Sequence, residues 1–229
     1  MRQPHSSVSS LDARRIRVAA RALARANLVH AYGHCSLRID PELFIVTPPK
    51  PLGLVRNDDS PVPVTLEGAL PPDALPEVIA HQEIYRRRAQ VSGIARFQSP
   101  NVTALSTLGL TPKARHGFGA YFAPGVPFYT NPRLVRDAAS AQTLAAELGS
   151  GRAIVMRGNG AITVGTSIEE AVVMAWYLED AARVELAVLA TGREGMELSG
   201  AEARERAVIS GRMMERMWDW LTAGDPELQ

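Results

Sequence analysis

The stretch RAIVMRGNGAITVG, residues 152–165, sets two short apolar runs on either side of a tight Arg-Gly-Asn-Gly turn. A turn this short joins neighbouring strands, so the two runs pair antiparallel. A long helical run, TSIEEAVVMAWYLEDAARVELAVLATG, follows at once over residues 166–192. Thr166 or Ser167 suits its N-cap, and Glu169 and Glu170 fall in the first turn, where carboxylates complement the helix dipole. Elsewhere helical and extended segments alternate, and several strands are again joined by hairpin-like loops. That pattern implies a layered α/β domain with a mixed or antiparallel sheet rather than a doubly wound nucleotide-binding fold. The glycines form neither GxGxxG after a first strand nor a P-loop, so nucleotide binding has little support.

The remaining segments fit the same plan. Residues 11–29 are rich in Ala, Arg and Leu with apolar spacing near 3.6, which predicts an amphipathic helix with Leu11, Ile16, Ala19, Leu23 and Ala26 inward. A strand follows Gly33 and continues through LFIVTP. Residues 48–63, with their prolines and Asn57-Asp58-Asp59, read as an exposed loop, and PVTLEG reads as a short strand and turn. Residues 76–88 form a helix with Pro76 in its first turn, QVSGIARF is a buried strand, and SPNVTALSTLG is a short helix after a corner. Residues 117–130 read as strand and loop. Residues 133–149 read as a helix ended by Gly149, and residues 200–222 as a last amphipathic helix with a Met/Trp stripe suited to core or subunit contact. The expected organisation is a disordered tail over 1–10, one domain over 11–222, and a disordered tail over 223–229.

A chain of 229 residues with 46% hydrophobic and 21% charged residues suits one globular domain with a substantial core. Its net charge of +1 gives no global field to attract nucleic acid or a membrane surface, and Arg86-Arg87-Arg88 reads as a solvated helix end. No apolar run reaches the roughly 18–20 residues of a membrane span, and no signal-peptide segment opens the chain. Cys35 is the one cysteine, which fits a reducing compartment and a cytoplasmic location.

GxSxG, CxxC and HExxH are all missing, and the five histidines, His5, His30, His34, His81 and His116, are scattered. His34 lies in Gly-His-Cys-Ser-Leu-Arg, where Ser36 and Arg38 share its strand face and suit an anion or a structural turn equally. Glu77 and His81 stand one helical turn apart. In GIARFQSP, alternation places Arg96 and Gln98 on one face of a strand end, a cation and an amide aimed at the same spot.

Three blocks in order give a resemblance: ARANLVHAYGHCSLRID, EVIAHQEIYRRRAQVSGIARFQSPNVTAL and VMRGNGAITVGTSIEEAVVMAWYLEDAARVELA. Over about residues 12–200 the chain resembles the class II aldolase/adducin family, and it is most similar to the branch of hydroxy-carboxymuconic semialdehyde decarboxylases. The resemblance implies a three-layer αβα sandwich with a mixed, largely antiparallel central sheet, and a homotetramer with sites at subunit boundaries. Family members usually carry His-x-His-Ser-Pro at the end of the middle strand and a histidine at the later turn, and these three hold a divalent metal. At the matching positions this chain has Arg96, Gln98 and Asn159. A guanidinium cannot ligate a cation, and amide oxygens are poor ligands for zinc-like ions, so no metal or other cofactor is expected.

What the resemblance implies about activity follows residue by residue. Arg96 replaces the metal as electrophile, Gln98 and Asn159 orient the same oxygen, and Glu77 stands where the family's proton-moving glutamate stands. His34, Ser36, Arg38, His81 and His116 are expected to bind the substrate, with Tyr121, Tyr129 or the Met/Trp stripe capping this pocket or a neighbour's. Leu75 and Pro76 replace the hydroxyl residues that bind phosphate in the sugar-phosphate aldolases, which points to a small non-phosphorylated oxo- or hydroxy-acid. The expected function is a metal-independent lyase that decarboxylates or cleaves a carbon–carbon bond. A metal-free isomerase or cyclase using the same enolisation, and a non-catalytic binding or scaffold domain, are the alternatives.

Overall fold

The computed structural model describes residues 8–229; His5 and most of the expected N-terminal tail lie outside the described residues. Seven strands, β1 (His34–Arg38), β2 (Leu43–Val46), β3 (Val62–Thr65), β4 (Gly93–Phe97), β5 (Phe128–Tyr129), β6 (Ala153–Met156) and β7 (Ala161–Gly165), form one sheet. Its order is β3-β2-β1-β4-β7-β6-β5. The β5–β6 pair is parallel and the other pairs are antiparallel. The helices are α1 (Ser10–Arg25), α2 (Ile79–Arg87), α3 (Pro100–Thr107), α4 (Ala138–Leu148), α5 (Ile168–Ala190), α6 (Gly200–Arg206) and α7 (Met213–Thr222).

Strand alternation divides the core in two. On β4, Ala95 and Phe97 pack with α1, α3 and α5 on one face, while Ile94 packs with α2 and α4 on the other. Helices therefore cover both faces of a mixed, largely antiparallel sheet. The α5 N-terminus approaches β4 so closely that a Cβ at Gly93 would lie 2.3 Å from the Ser167 carbonyl oxygen. Ser167 caps α5 by accepting the Glu170 N–H, and the long buried stripe of this helix closes the α1 side.

Five expectations are corrected. The strand expected to run from Gly33 through LFIVTP is a hairpin: Asp40 and Pro41 turn the chain, the Asp40 carboxylate accepts the Glu42 N–H, and β1 and β2 pair antiparallel. Leu11 is 60% exposed because it sits in the first turn of α1, before the helix reaches the sheet, and Ala26 is only half-buried. The helix predicted over 133–149 begins at Ala138, where Asp137 accepts the Ser140 N–H as N-cap, so 133–136 is loop. The helix predicted over 200–222 is two helices. Val208 and Ile209 are poor helix formers, and Gly211 and Arg212 take positive φ values of 76° and 58°. Finally, residues 223–229 are no free tail. Arg17, Arg21 and Arg25 recur at four-residue spacing on α1 and grip Asp225 and Glu227. Arg21 spans both oxygens of the fully buried Asp225 at 2.8 and 2.7 Å.

Candidate functional site

The edge where β1, β4 and the β6–β7 turn meet carries the polar residues singled out above. Residues on β4 with the parity of Ile94 face α2, so Arg96 and, just past the strand, Gln98 point to that side. His34 pairs with Arg96 across the β1–β4 ladder and faces the same way. Asn159 reaches them from the tight turn before β7. That turn crosses the β4 end so closely that a Cβ at Gly160, whose φ is +73°, would lie 2.0 Å from the Phe97 carbonyl oxygen. Only glycine allows this approach. Arg96 Nη2 and Gln98 Nε2 then donate to the same oxygen, Asn159 Oδ1, at 2.6 and 2.7 Å.

A cavity of about 480 Å³ opens beside this triad. Its wall includes Gly33, His34, Arg96 and Gln98 from the strand ends, Leu75, Pro76 and Glu77 from the turn before α2, and Lys50, Leu134 and Arg136 from two loops. Pro76 begins the 3₁₀ turn Pro76–Val78 that leads into α2, and this places Glu77 at the rim. Arg136 donates to Glu77 Oε1 from Nε at 2.9 Å and from Nη2 at 2.7 Å.

Burial sets the charge states behind the cavity. Arg96 is buried, and desolvation pulls its pKa down to about 10 against the supporting charge of Glu77, so it remains cationic at neutral pH. His81 is fully buried; burial and, less strongly, Arg96 hold its pKa down at about 3. His34 is pushed well below its ordinary value by burial, His81 and Arg96, in that order. Both rings are therefore neutral, 4.6 Å apart. His81 Nδ1 bonds Ser36 Oγ at 2.7 Å, and Ser36 Oγ meets Tyr85 Oη at 2.9 Å. Neither nitrogen of His34 has a hydrogen-bond partner among the described residues.

The structure thus gathers Glu77, Arg96, Gln98, Asn159 and His34, and it separates the other expected binders. Ser36 and His81 form a buried chain behind His34 instead of lining the cavity. Arg38 sits at the far end of β1, where its guanidinium donates to the carbonyls of Tyr85 and Val91 and closes the end of α2. His116 Nε2 bonds Asp180 on α5 at 2.8 Å, in the aromatic cluster of Phe118 and Trp176, away from the cavity. Tyr121 donates to the Val208 carbonyl and Tyr129 is buried beside α4, so neither caps this cavity. Lys50 and Arg136 were not singled out from the sequence. Lys50 stands between prolines in PPKP, a stiff loop that could have marked it. The Asp137 N-cap signal, read correctly, would have left Arg136 on a loop.

The model of the Class II Aldolase and Adducin N-terminal domain matches residues 14–186. The chain belongs to the class II aldolase and adducin family. Within that family, a protein named 3,4-dihydroxyphthalate decarboxylase from Terrabacter sp. (strain DBF63) is 32% identical over 201 residues, covering 79% of this chain and 80% of its own. One of the same name from Rhodococcus jostii (strain RHA1) is 28% identical over 202 residues, covering 79% and 81%. The aldolase II superfamily protein from Pseudomonas syringae superposes with a TM-score of 0.78 at 21% identity, covering 95% of this chain and 93% of the other. That likeness establishes the class II aldolase fold. No helix among the described residues is long and apolar enough to cross a membrane.

Proposed function

We propose that this chain is a metal-independent decarboxylase of a small, non-phosphorylated hydroxy- or oxo-acid. The observation that carries the reading is the convergence of Arg96 and Gln98 on Asn159 Oδ1 beside the cavity. The relatives named 3,4-dihydroxyphthalate decarboxylase support the reaction class, and they favour decarboxylation over isomerisation or cyclisation. The apolar wall of Leu75 and Pro76 offers no hydroxyl for a phosphate.

The residues present do not fit the metal that the family resemblance implies. A buried guanidinium stands in the place of a ligand, and Asn159 Oδ1, the oxygen that would face a cation, already accepts two N–H donors. Among the described residues no three His, Cys, Asp or Glu side chains gather as a ligand set. Arg96 supplies the positive charge instead.

In the proposed reaction the oxygen next to the departing carboxylate lies against Arg96. In a phenolic or enolic acid, Glu77, once protonated, delivers a proton to the carbon bearing that carboxylate, while the hydroxyl on the neighbouring carbon gives up its own proton to water and becomes a carbonyl. The carbon–carbon bond then breaks, carbon dioxide leaves, and the electron pair passes to the same oxygen. Preorganised N–H donors stabilise the charge that develops there. The oxygen regains a proton on release, so one proton is taken up for each carbon dioxide formed.

The test is turnover of 3,4-dihydroxyphthalate and a panel of hydroxy-acids in the presence of a chelator, with carbon dioxide and metal content measured on the same protein. Turnover in chelator with less than about a tenth of an equivalent of metal is expected. A stoichiometric divalent metal whose removal abolishes turnover would overturn the reading, and so would carbon dioxide from no member of the panel.

A further inference from the structure

The charged side chains lining the cavity are Lys50, Arg96, Arg136 and Glu77, three cations and one carboxylate. They are held in different ways. Lys50 Nζ meets both oxygens of Asp59, at 2.8 and 2.7 Å, so its charge is already offset. Arg96 is buried and anchored to an amide. Arg136 is about half-exposed, on the loop before α4, and its guanidinium bonds Glu77.

The geometry of that last pair differs from that of four arginine–carboxylate pairs that join distant parts of the chain, and is shared by the local Arg183–Asp180 pair within α5. Arg15 with Glu169, Arg17 with Glu227, Arg21 with Asp225 and Arg115 with Glu185 each place two nitrogens on two different oxygens. That is the fork-to-fork match that makes such pairs strong. Arg136 instead puts both nitrogens on the single oxygen Oε1 of Glu77. A second carboxylate entering the cavity could offer Arg136 the full fork.

We propose that Arg136 is a specificity-determining switch: it occupies Glu77 in the free pocket and leaves it for a second carboxylate of the substrate. Only a dicarboxylate would then free Glu77 while its reacting carboxylate lies near Arg96. A substrate with one carboxylate would fill the pocket and leave Glu77 occupied. This inference rests on the decarboxylase reading for the role of Glu77, but the exchange itself is a binding event and is tested without turnover.

Phthalate, with two adjacent carboxylates, and benzoate, with one, are the probes, titrated by calorimetry against the full chain. Phthalate is expected to bind more tightly than benzoate. Arg136→Met should weaken phthalate by about tenfold or more and benzoate by less than about twofold, the scale of one charge-assisted contact. Arg136→Lys should recover part of the loss. Glu77→Gln removes the competitor for Arg136 and should tighten phthalate severalfold, a result that a purely structural Glu77–Arg136 pair would not give. Equal losses of the two probes in Arg136→Met, or weaker phthalate binding in Glu77→Gln, would overturn the inference. Turnover adds a second arm. Arg136→Met should raise KM for 3,4-dihydroxyphthalate with kcat little changed, and raise kcat for 2,3-dihydroxybenzoate, which lacks the second carboxylate. If nothing is decarboxylated, the proposed function fails while the phthalate titrations still decide the switch.

Discussion

Two sets of buried or half-buried arginines define opposite characters within one chain. On α1, Arg17, Arg21 and Arg25 close on Asp225 and Glu227. Burial pulls the pKa of Arg21 down, but its bonds to Asp225 and Glu227 outweigh that and leave it raised. At the cavity, Arg96 donates to a neutral amide, burial dominates, and its pKa falls to about 10. An arginine matched oxygen for oxygen by carboxylates holds chain segments together. One placed beside a neutral acceptor at a cavity wall keeps a charge that no carboxylate bonds directly, which is what the proposed function asks of Arg96.

Removing a carboxylate from the first set is the harshest way to test this contrast. Asp225→Ala leaves the buried Arg21 with Glu227 as its one bonded carboxylate beside the Val55 carbonyl, and a loss of about 3–5 kcal/mol is expected, seen as a lower denaturant midpoint. Unchanged stability would mean that the clamp is ornamental. In the second set, Arg96→Met should behave oppositely. It removes a desolvated charge and should leave the denaturant midpoint close to wild type, while turnover falls by about 10²–10³. A large stability loss with activity retained would reverse the assignment of the two sets.

The histidines behind Arg96 sharpen the comparison through pH. His81 has its folded pKa depressed to about 3 from 6.5. An unfolded chain therefore binds a proton that the folded one refuses between those values, so stability falls as pH drops through that window and is intact above it. Replacing His81 with Gln should flatten this acid limb by up to a few kcal/mol at pH 4, as followed by denaturation at several pH values. The smallest effect concerns the loop that carries Arg136. Asp137→Ala removes the α4 N-cap and should cost about 1 kcal/mol, with phthalate affinity changed less than in Arg136→Met.

Much of the fold was legible because it depends on short-range signals. The 157–160 turn, the Ser167 cap and the alternation of Ile94, Ala95, Arg96 and Phe97 each state a local geometry that the tertiary structure keeps. The convergence of Arg96 and Gln98 followed from strand parity alone. The placement of Arg38 and His116 did not, because one face of a strand runs from the cavity to the far end of the sheet, and a loop histidine can meet any helix nearby. Lys50 and Arg136 escaped notice since they arrive on loops, where no periodicity says what they face. The docking of residues 223–229 was hidden for a related reason: the α1 arginines suited solvent until their partners, some 200 positions away, came into view.

The β1–β4–β7 ladder has one more consequence. His34, Arg96 and Ile162 lie abreast across three adjacent strands. Sliding β4 by one residue would turn Arg96 into the α1–α5 core and present Ala95 or Phe97 to the cavity. Under the proposed function, chemistry at this site and correct strand pairing are thus a single achievement of folding. Ligand binding by a freshly made chain would report that its sheet had closed in register, without any separate measure of structure.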